Sequence, residues 1–207
     1  RSSLKFKAQS SKFKVQSSKF MLNILFILAL TFPVAVASTA FGIDNLQSTT
    51  NNLQLSKKLM FALILALGQG VMYSLGALLG GAFMHTVAKF SNWIVFVLCF
   101  YIAFRMLMET IKIKKGANLF FIEKKKQLLL LSIALGVNSF IAGLIAEFLP
   151  LFQNLTPYII MAAAFVWSIV TMLIPFSNMK LAFNSLLNLI FSAVVAVMGM
   201  LFMINNF

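Results

Sequence analysis

The sequence predicts an all-α integral membrane protein of six transmembrane helices, arranged as a 3+3 inverted repeat. Three observations carry that prediction. Only 10% of the residues are charged and the mean hydropathy is +0.96, whereas a soluble domain carries about 25% charge and needs it to make a surface. Six apolar runs of spanning length follow one another with short polar connections. Finally, an interrupted apolar pattern occurs twice, at Ala29-Leu-Thr-Phe-Pro-Val-Ala-Val-Ala-Ser38 and at Ala134-Leu-Gly-Val-Asn-Ser-Phe-Ile-Ala-Gly143. Setting Ala29-Leu30 over Ala134-Leu135 places Pro33 on Asn138, Ala37 on Ala142 and Ser38 on Gly143. Two apolar spans broken by Gly, Pro or a polar residue at matching positions of two halves are the sequence pointer to a transporter's site. The runs must be helices, because an open strand edge in lipid would leave backbone groups unpaired.

Residues 1–20 differ from the rest. Gln9-Ser-Ser-Lys-Phe13 recurs as Gln16-Ser-Ser-Lys-Phe20, and the first Met is Met21, directly before an apolar run. Three readings fit this basic tail: an amphipathic arm on the membrane surface, a targeting segment, or translated repeat ahead of the true start. The third is preferred, so the tail is expected to be disordered or not native. The first repeat then covers 21–113, with spans 21–43, 59–84 and 93–111. The second covers 127–207, with spans 127–149, 158–175 and 181–204. The connections are a polar loop before Lys57-Lys58, a turn at 85–92, a basic loop at 112–126, and short links at 152–157 and 176–180. Trp93, Tyr158 and the pair Phe120-Phe121 fall near span ends, where aromatic rings favour the interface.

The net charge of +13 is clustered rather than spread over a face. Six basic residues lie in the first nineteen positions and six in the 112–126 loop. Basic clusters beside apolar spans are cytoplasmic anchors, so no nucleic-acid partner is expected. Lysines in the odd loops (57, 58, the six of 112–126, and 180) outnumber those in the even loops (Lys89 alone) by nine to one. Loops 44–58, 112–126 and 176–180 are therefore expected on the cytoplasmic side of a bacterial inner membrane, with both ends of the six-span chain outside. Three spans per half is an odd number, which makes the second half enter from the opposite side. Cys99 is the only cysteine and lies in an apolar run. It allows no intrachain disulfide and no cysteine-rich metal site.

Few side chains could carry chemistry. Of the four acids, Asp44 is read as an interfacial cap and Glu123 as solvated in the basic loop. Glu109 follows Arg105 by four residues, one turn along the same helix face. An intramembrane ionisable residue is a functional candidate with a partner expected, and here the partner is local. Glu147 sits near the outer end of the fourth span. Gln69 lies mid-span between Gly68 and Gly70, followed by the small-xxx-small spacing Gly76-Ala-Leu-Leu-Gly80, which lets helices approach closely. Asn138 and Ser139 form a second polar centre, joined by Asn184 and Asn188 in the sixth span. Interhelical hydrogen bonding, worth about 0.6–2 kcal/mol per pair, competes with a substrate path as their role. His85 has no second His or Cys nearby, so no zinc site is expected. No catalytic triad, phosphate loop or HExxH helix is present, and neither enzyme activity nor a cofactor is expected. The substrate-path candidates are Gln69, Asn138, Ser139, Pro33, Arg105 and Glu109. Glu109 and Glu147 are the only acids a metal could use.

Four stretches resemble the MntP-type manganese efflux pumps, within the LysE-like exporter group. Asn92-Trp-Ile-Val-Phe-Val-Leu98 with Phe104-Arg-Met-Leu-Met-Glu109 is similar to that family's third span. Gly68-Gln69 with Met72-Tyr-Ser-Leu-Gly76 resembles its second, and residues 29–42 and 133–149 resemble its two repeated helices. The resemblance implies a six-helix exporter moving Mn²⁺ across the membrane. It also implies an aspartate at the centre of each repeated helix as a ligand, and those positions hold Pro33 and Asn138 here. Mn²⁺ is a hard cation best served by carboxylate and carbonyl oxygens. The expectation is therefore a divergent exporter of a small solute or cation, rocking around Gln69, Asn138 and an interruption at Pro33. Its alternative is a non-transporting membrane subunit that keeps the exporter fold as a scaffold.

Overall fold

A computed structural model of the 207-residue chain describes residues 20–39, 51–114, 125–148, 155–173 and 178–205. The basic tail, Asp44, Glu123 and the Phe120-Phe121 pair lie outside these residues, as does the His85 side chain. Six helices run through the rest: α1 (Phe20–Thr39), α2 (Asn51–Val87), α3 (Ser91–Lys114), α4 (Lys125–Leu144), α5 (Thr156–Leu173) and α6 (Asn178–Asn205). No strand occurs among the described residues. Five helices are long and apolar enough to cross a membrane, and α5 supplies a shorter apolar stretch, Thr156–Met172. Its 17 residues sit at the lower limit for a spanning helix, about 17–25 residues.

Two boundaries depart from the sequence expectation. Helix α2 starts at Asn51, inside the polar segment read as loop. Residues 51–58 hold neither Gly nor Pro, and once the apolar part is helical each added turn gains hydrogen bonds without a new nucleus. Helix α4 stops at Leu144, five residues short of the expected span. There the bonding tightens to i→i−3, with the Ala146 N–H donating to the Gly143 carbonyl and the Phe148 N–H to the Ile145 carbonyl, each at 3.0 Å. Pro150 has no N–H with which to carry a helical ladder onward. Glu147 consequently lies past the helix end, exposed. The turn expected at 85–92 contracts to a 3-10 turn, Ala88–Phe90.

The helices pack by two different chemistries. Along α2 and α4, small residues face each other in i+4 rows. A Cβ on Gly68 would meet Ser132, one on Gly136 would meet Met72, one on Gly76 would come within 2.0 Å of the Phe140 carbonyl oxygen, and one on Gly80 within 2.3 Å of that of Leu144. The partners advance together along both helices, which therefore run parallel. Gly143 returns the contact, its would-be Cβ 2.2 Å from the Tyr73 carbonyl oxygen. Only glycine lets the backbones come this close. Elsewhere bulky side chains fill the core. Phe26, Ile27, Leu30 and Phe32 of α1 are among the largest fully buried residues, and 56% of the α1 apolar stretch is buried against 28% for α6. The first helix is thus the interior one, and the apolar faces of the others look outward to where lipid would be. Trp93 and Tyr158 are exposed at 53% and 68%, as rings at an interface should be.

Candidate functional site

Successive residues of a helix point about 100° apart, so Asn138 and Ser139 address two different neighbours of α4. The Ser139 hydroxyl donates to Gln69 Oε1 of α2 at 2.5 Å. Asn138 turns the other way and accepts from Arg105 Nη1 of α3 at 3.1 Å. The second guanidinium nitrogen, Nη2, donates to the Ala134 carbonyl, one turn below Asn138. Arg105 thereby grips a whole turn of α4, while its Nε lies 3.5 Å from Glu109 Oε1 on its own helix. The local Arg105–Glu109 pair was legible from the i,i+4 spacing. The reach of Arg105 across to α4 was not, because nothing in the sequence says which helix faces α3.

A guanidinium only donates hydrogen bonds. Asn138 must therefore present its oxygen to Arg105, which leaves Nδ2 turned elsewhere. Asn138 is 0% exposed and Gln69 is 1% exposed, and neither Asn138 Nδ2 nor Gln69 Nε2 has a hydrogen-bond partner. Two buried carboxamides thus keep a spare donor group each. Leaving such a group unmade costs about 1–3 kcal/mol, which a bound acceptor or a water would recover.

The remaining candidates fall into other clusters. Asn188 of α6 does not join the Gln69 and Asn138 centre. Its Nδ2 donates to the Met106 carbonyl at 3.0 Å and to Thr110 Oγ1 at 2.9 Å, both on α3. Ser192 donates to the Ala103 carbonyl at 2.7 Å, so this pair of helices is stitched by side chains onto backbone. Pro33 is buried in α1, and the helix continues through it rather than breaking there. A proline has no N–H to give, so the Ala29 carbonyl loses its helical donor, a cost tolerated where neighbouring groups can compensate. Beside it, Phe32 meets Trp167 edge-on at 5.2 Å and Phe191 at 4.8 Å, and the buried Trp167 indole N–H has no partner. Ser38 donates to Ser168 of α5 at 3.1 Å. Asn184 is half-buried and Cys99 is buried among apolar side chains.

The electrostatics of the α2–α3–α4 cluster are close to balanced: one guanidinium, one carboxylate and two neutral amides. Among the described residues, no group of three or more His, Cys, Asp or Glu comes together. Glu109 lies against Arg105, and Glu147 lies beyond α4. The two acids among these candidates are therefore not brought together as a ligand cluster in the described residues.

These features define a multi-pass α-helical membrane protein with a polar centre. Residues 52–203 match the model of the Mntp family, described as "Putative manganese efflux pump". The match takes in most of the chain, and the protein belongs to this family of transporters. It begins at α2, leaving out α1 and Pro33. No curated protein and no solved structure matches the chain.

Proposed function

We propose that the protein is an exporter with its solute path at Gln69, Ser139, Asn138 and Arg105, and that the solute is something other than a bare divalent cation. The observation that carries this is the pair of buried carboxamides from facing helices, each with an unpartnered NH₂. A solute bearing carbonyl, hydroxyl or carboxylate oxygens would satisfy them, whereas a metal ion has no acceptor to offer. Glu109 belongs to the path through Arg105, and Pro33 through the Ala29 carbonyl it releases.

The helix pairings support two inverted repeats. Exchanging the halves turns α2 with α4 into α5 with α1, and both pairs are in contact. The alignment that sets Ser38 over Gly143 also agrees. Gly143 packs on Tyr73 and Gly76 of α2, and Ser38 bonds Ser168 of α5. The parallel course of α2 and α4 fits an orientation in which both leave the cytoplasm of a bacterial inner membrane, with the lysine-rich loops inside.

A second reading, a non-transporting scaffold, draws on the closed bonds of Asn188 and Ser192 and on the tight α2–α4 glycine contacts. Both readings are tested in a deletion strain carrying the chain from Met21. Asn138→Leu and Gln69→Leu are expected to abolish rescue of its amino-acid sensitivity while inserting normally. Full rescue by both variants would remove the exporter reading.

A further inference from the structure

The packing of four helices gathers lysines that are far apart in sequence. The Ser132 hydroxyl of α4 donates to the Ile64 carbonyl of α2, 68 positions away, and Gly136 keeps the same offset against Gly68. Carried two turns back, that register sets Lys57 opposite Lys125 and Lys58 opposite Lys126. The seam is still packed near this level, since Phe61 and Leu128 are buried in one cluster. Helices α3 and α6 run antiparallel, with Cys99 against Gly199, Ala103 against Ser192 and Thr110 against Asn188. The same course continued brings Lys112 and Lys114 toward the first turn of α6, which holds Lys180. Helix α3 follows α2 through the short Ala88–Phe90 turn, so it returns to the face from which α2 starts. Lysines of α2, α3, α4 and α6 therefore meet at one membrane face, whereas Lys89 lies at the other.

Little in the protein balances this charge. Helices α2, α4 and α6 have no acid in their first turns. Among the described residues the acid on this side is Glu109, which already lies beside Arg105. By sequence, the segments linking α1 to α2 and α3 to α4 add two acids and two lysines, which cancel. Lys57, Lys58 and Lys126 are exposed, and they stand where the apolar stretches Ser56–Phe83 and Lys126–Leu144 begin. That is the depth of lipid phosphates, which a lysine reaches while its stem stays on apolar surface. We infer that this face is a binding surface for anionic phospholipid headgroups, whose phosphates bridge the opposed lysine positions of α2 and α4. Counting lysines loop by loop gives only an orientation; the helix register is what joins them into one patch. The surface is set by where the helix ends gather and is independent of any exported solute.

The test is electron paramagnetic resonance of the purified full chain in phosphatidylcholine vesicles carrying spin-labelled lipids, read as the motionally restricted fraction at the protein. A lysine beside an anionic surface gives about fivefold at its own site, so wild type is expected to prefer phosphatidylglycerol over phosphatidylcholine by at least about threefold across its lipid shell. Lys57→Gln, Lys58→Gln, Lys125→Gln and Lys126→Gln together are expected to bring that preference down to about parity. Two controls should keep it: Lys5→Gln, Lys7→Gln, Lys12→Gln and Lys14→Gln, which removes equal charge from the basic tail, and Lys89→Gln on the other face. Should the quadruple variant of α2 and α4 fail to insert, Lys57→Gln with Lys58→Gln carries the test and is expected to lose about half of the preference. No preference in wild type, equal loss from the tail variant, or a folded α2–α4 variant with full preference would each overturn the inference. Displacement of the labelled lipid by inorganic phosphate or a short RNA at matched ionic strength would also overturn it, by assigning the face to a soluble anion.

Discussion

The α2–α4 seam and the α3–α4 junction share one helix and could hardly be built more differently. The seam is backbone against backbone, with Gly76, Gly80 and Gly143 each leaving room for nothing larger than hydrogen. The junction is held by the fork of one long side chain, Arg105, on one turn of α4. A glycine seam has a single good arrangement and resists sliding, since packed backbones are not continuously deformable. An arginine fork can let go and be replaced by other donors. The contrast sets a rigid seam on one side of α4 against an exchangeable side-chain contact on the other, where the proposed path lies. We propose that motion within the bundle leaves α2 and α4 together and alters α3 relative to them.

Substitutions can break or sharpen this contrast. The largest effect is expected at the seam. Gly76→Leu must force a side chain into the Phe140 carbonyl, and overpacking of that kind costs about 1–3 kcal/mol or more. A marked drop in thermal midpoint in detergent, or failure to insert, is the expected result. Next comes Asn188→Leu, which removes two donors to α3 and should cost about 0.6–2 kcal/mol by the same melt. Ser192→Ala loses a single bond to the Ala103 carbonyl and should fall at about 0.6 kcal/mol. The smallest effect belongs to Gly81→Ala, whose added Cβ has only Glu147 Oε1 within reach, at 3.8 Å. With no clash there, the better helix former should be neutral or stabilise by up to about 1 kcal/mol. Equal losses from Gly76→Leu and Gly81→Ala would mean that the seam is not special.

Much of this was legible in the sequence, and the exceptions have physical reasons. Hydropathy located all six helices, because a bilayer rewards an apolar run whatever surrounds it. The small-xxx-small spacing of Gly76 and Gly80 announced close packing, although it could not say that α4 was the partner. The sequence predicts Gln69 and Ser139 as facing polar centres, and they do bond each other. The sequence groups Asn188 with them, whereas it serves α3, since a polar residue in an apolar helix advertises a need for a partner without naming it. A proline within an apolar span predicts an interruption at Pro33. The helix runs on because proline removes one hydrogen bond without removing the packing around it. Helix ends were the least legible, as at Asn51 and Leu144, where water and local bonding set the boundary rather than hydrophobicity.

The central claim is that Asn138 faces a path that solutes and water can enter. Its most direct test is cysteine accessibility, on a Cys99→Ser background carrying Asn138→Cys, probed in intact membranes with a small hydrophilic thiosulfonate. The wild-type chain, whose only thiol is the buried Cys99, gives the dry control. The account predicts rapid labelling of Asn138→Cys and slow or no labelling of Cys99. Equal protection of both positions would contradict it and leave a closed helical scaffold.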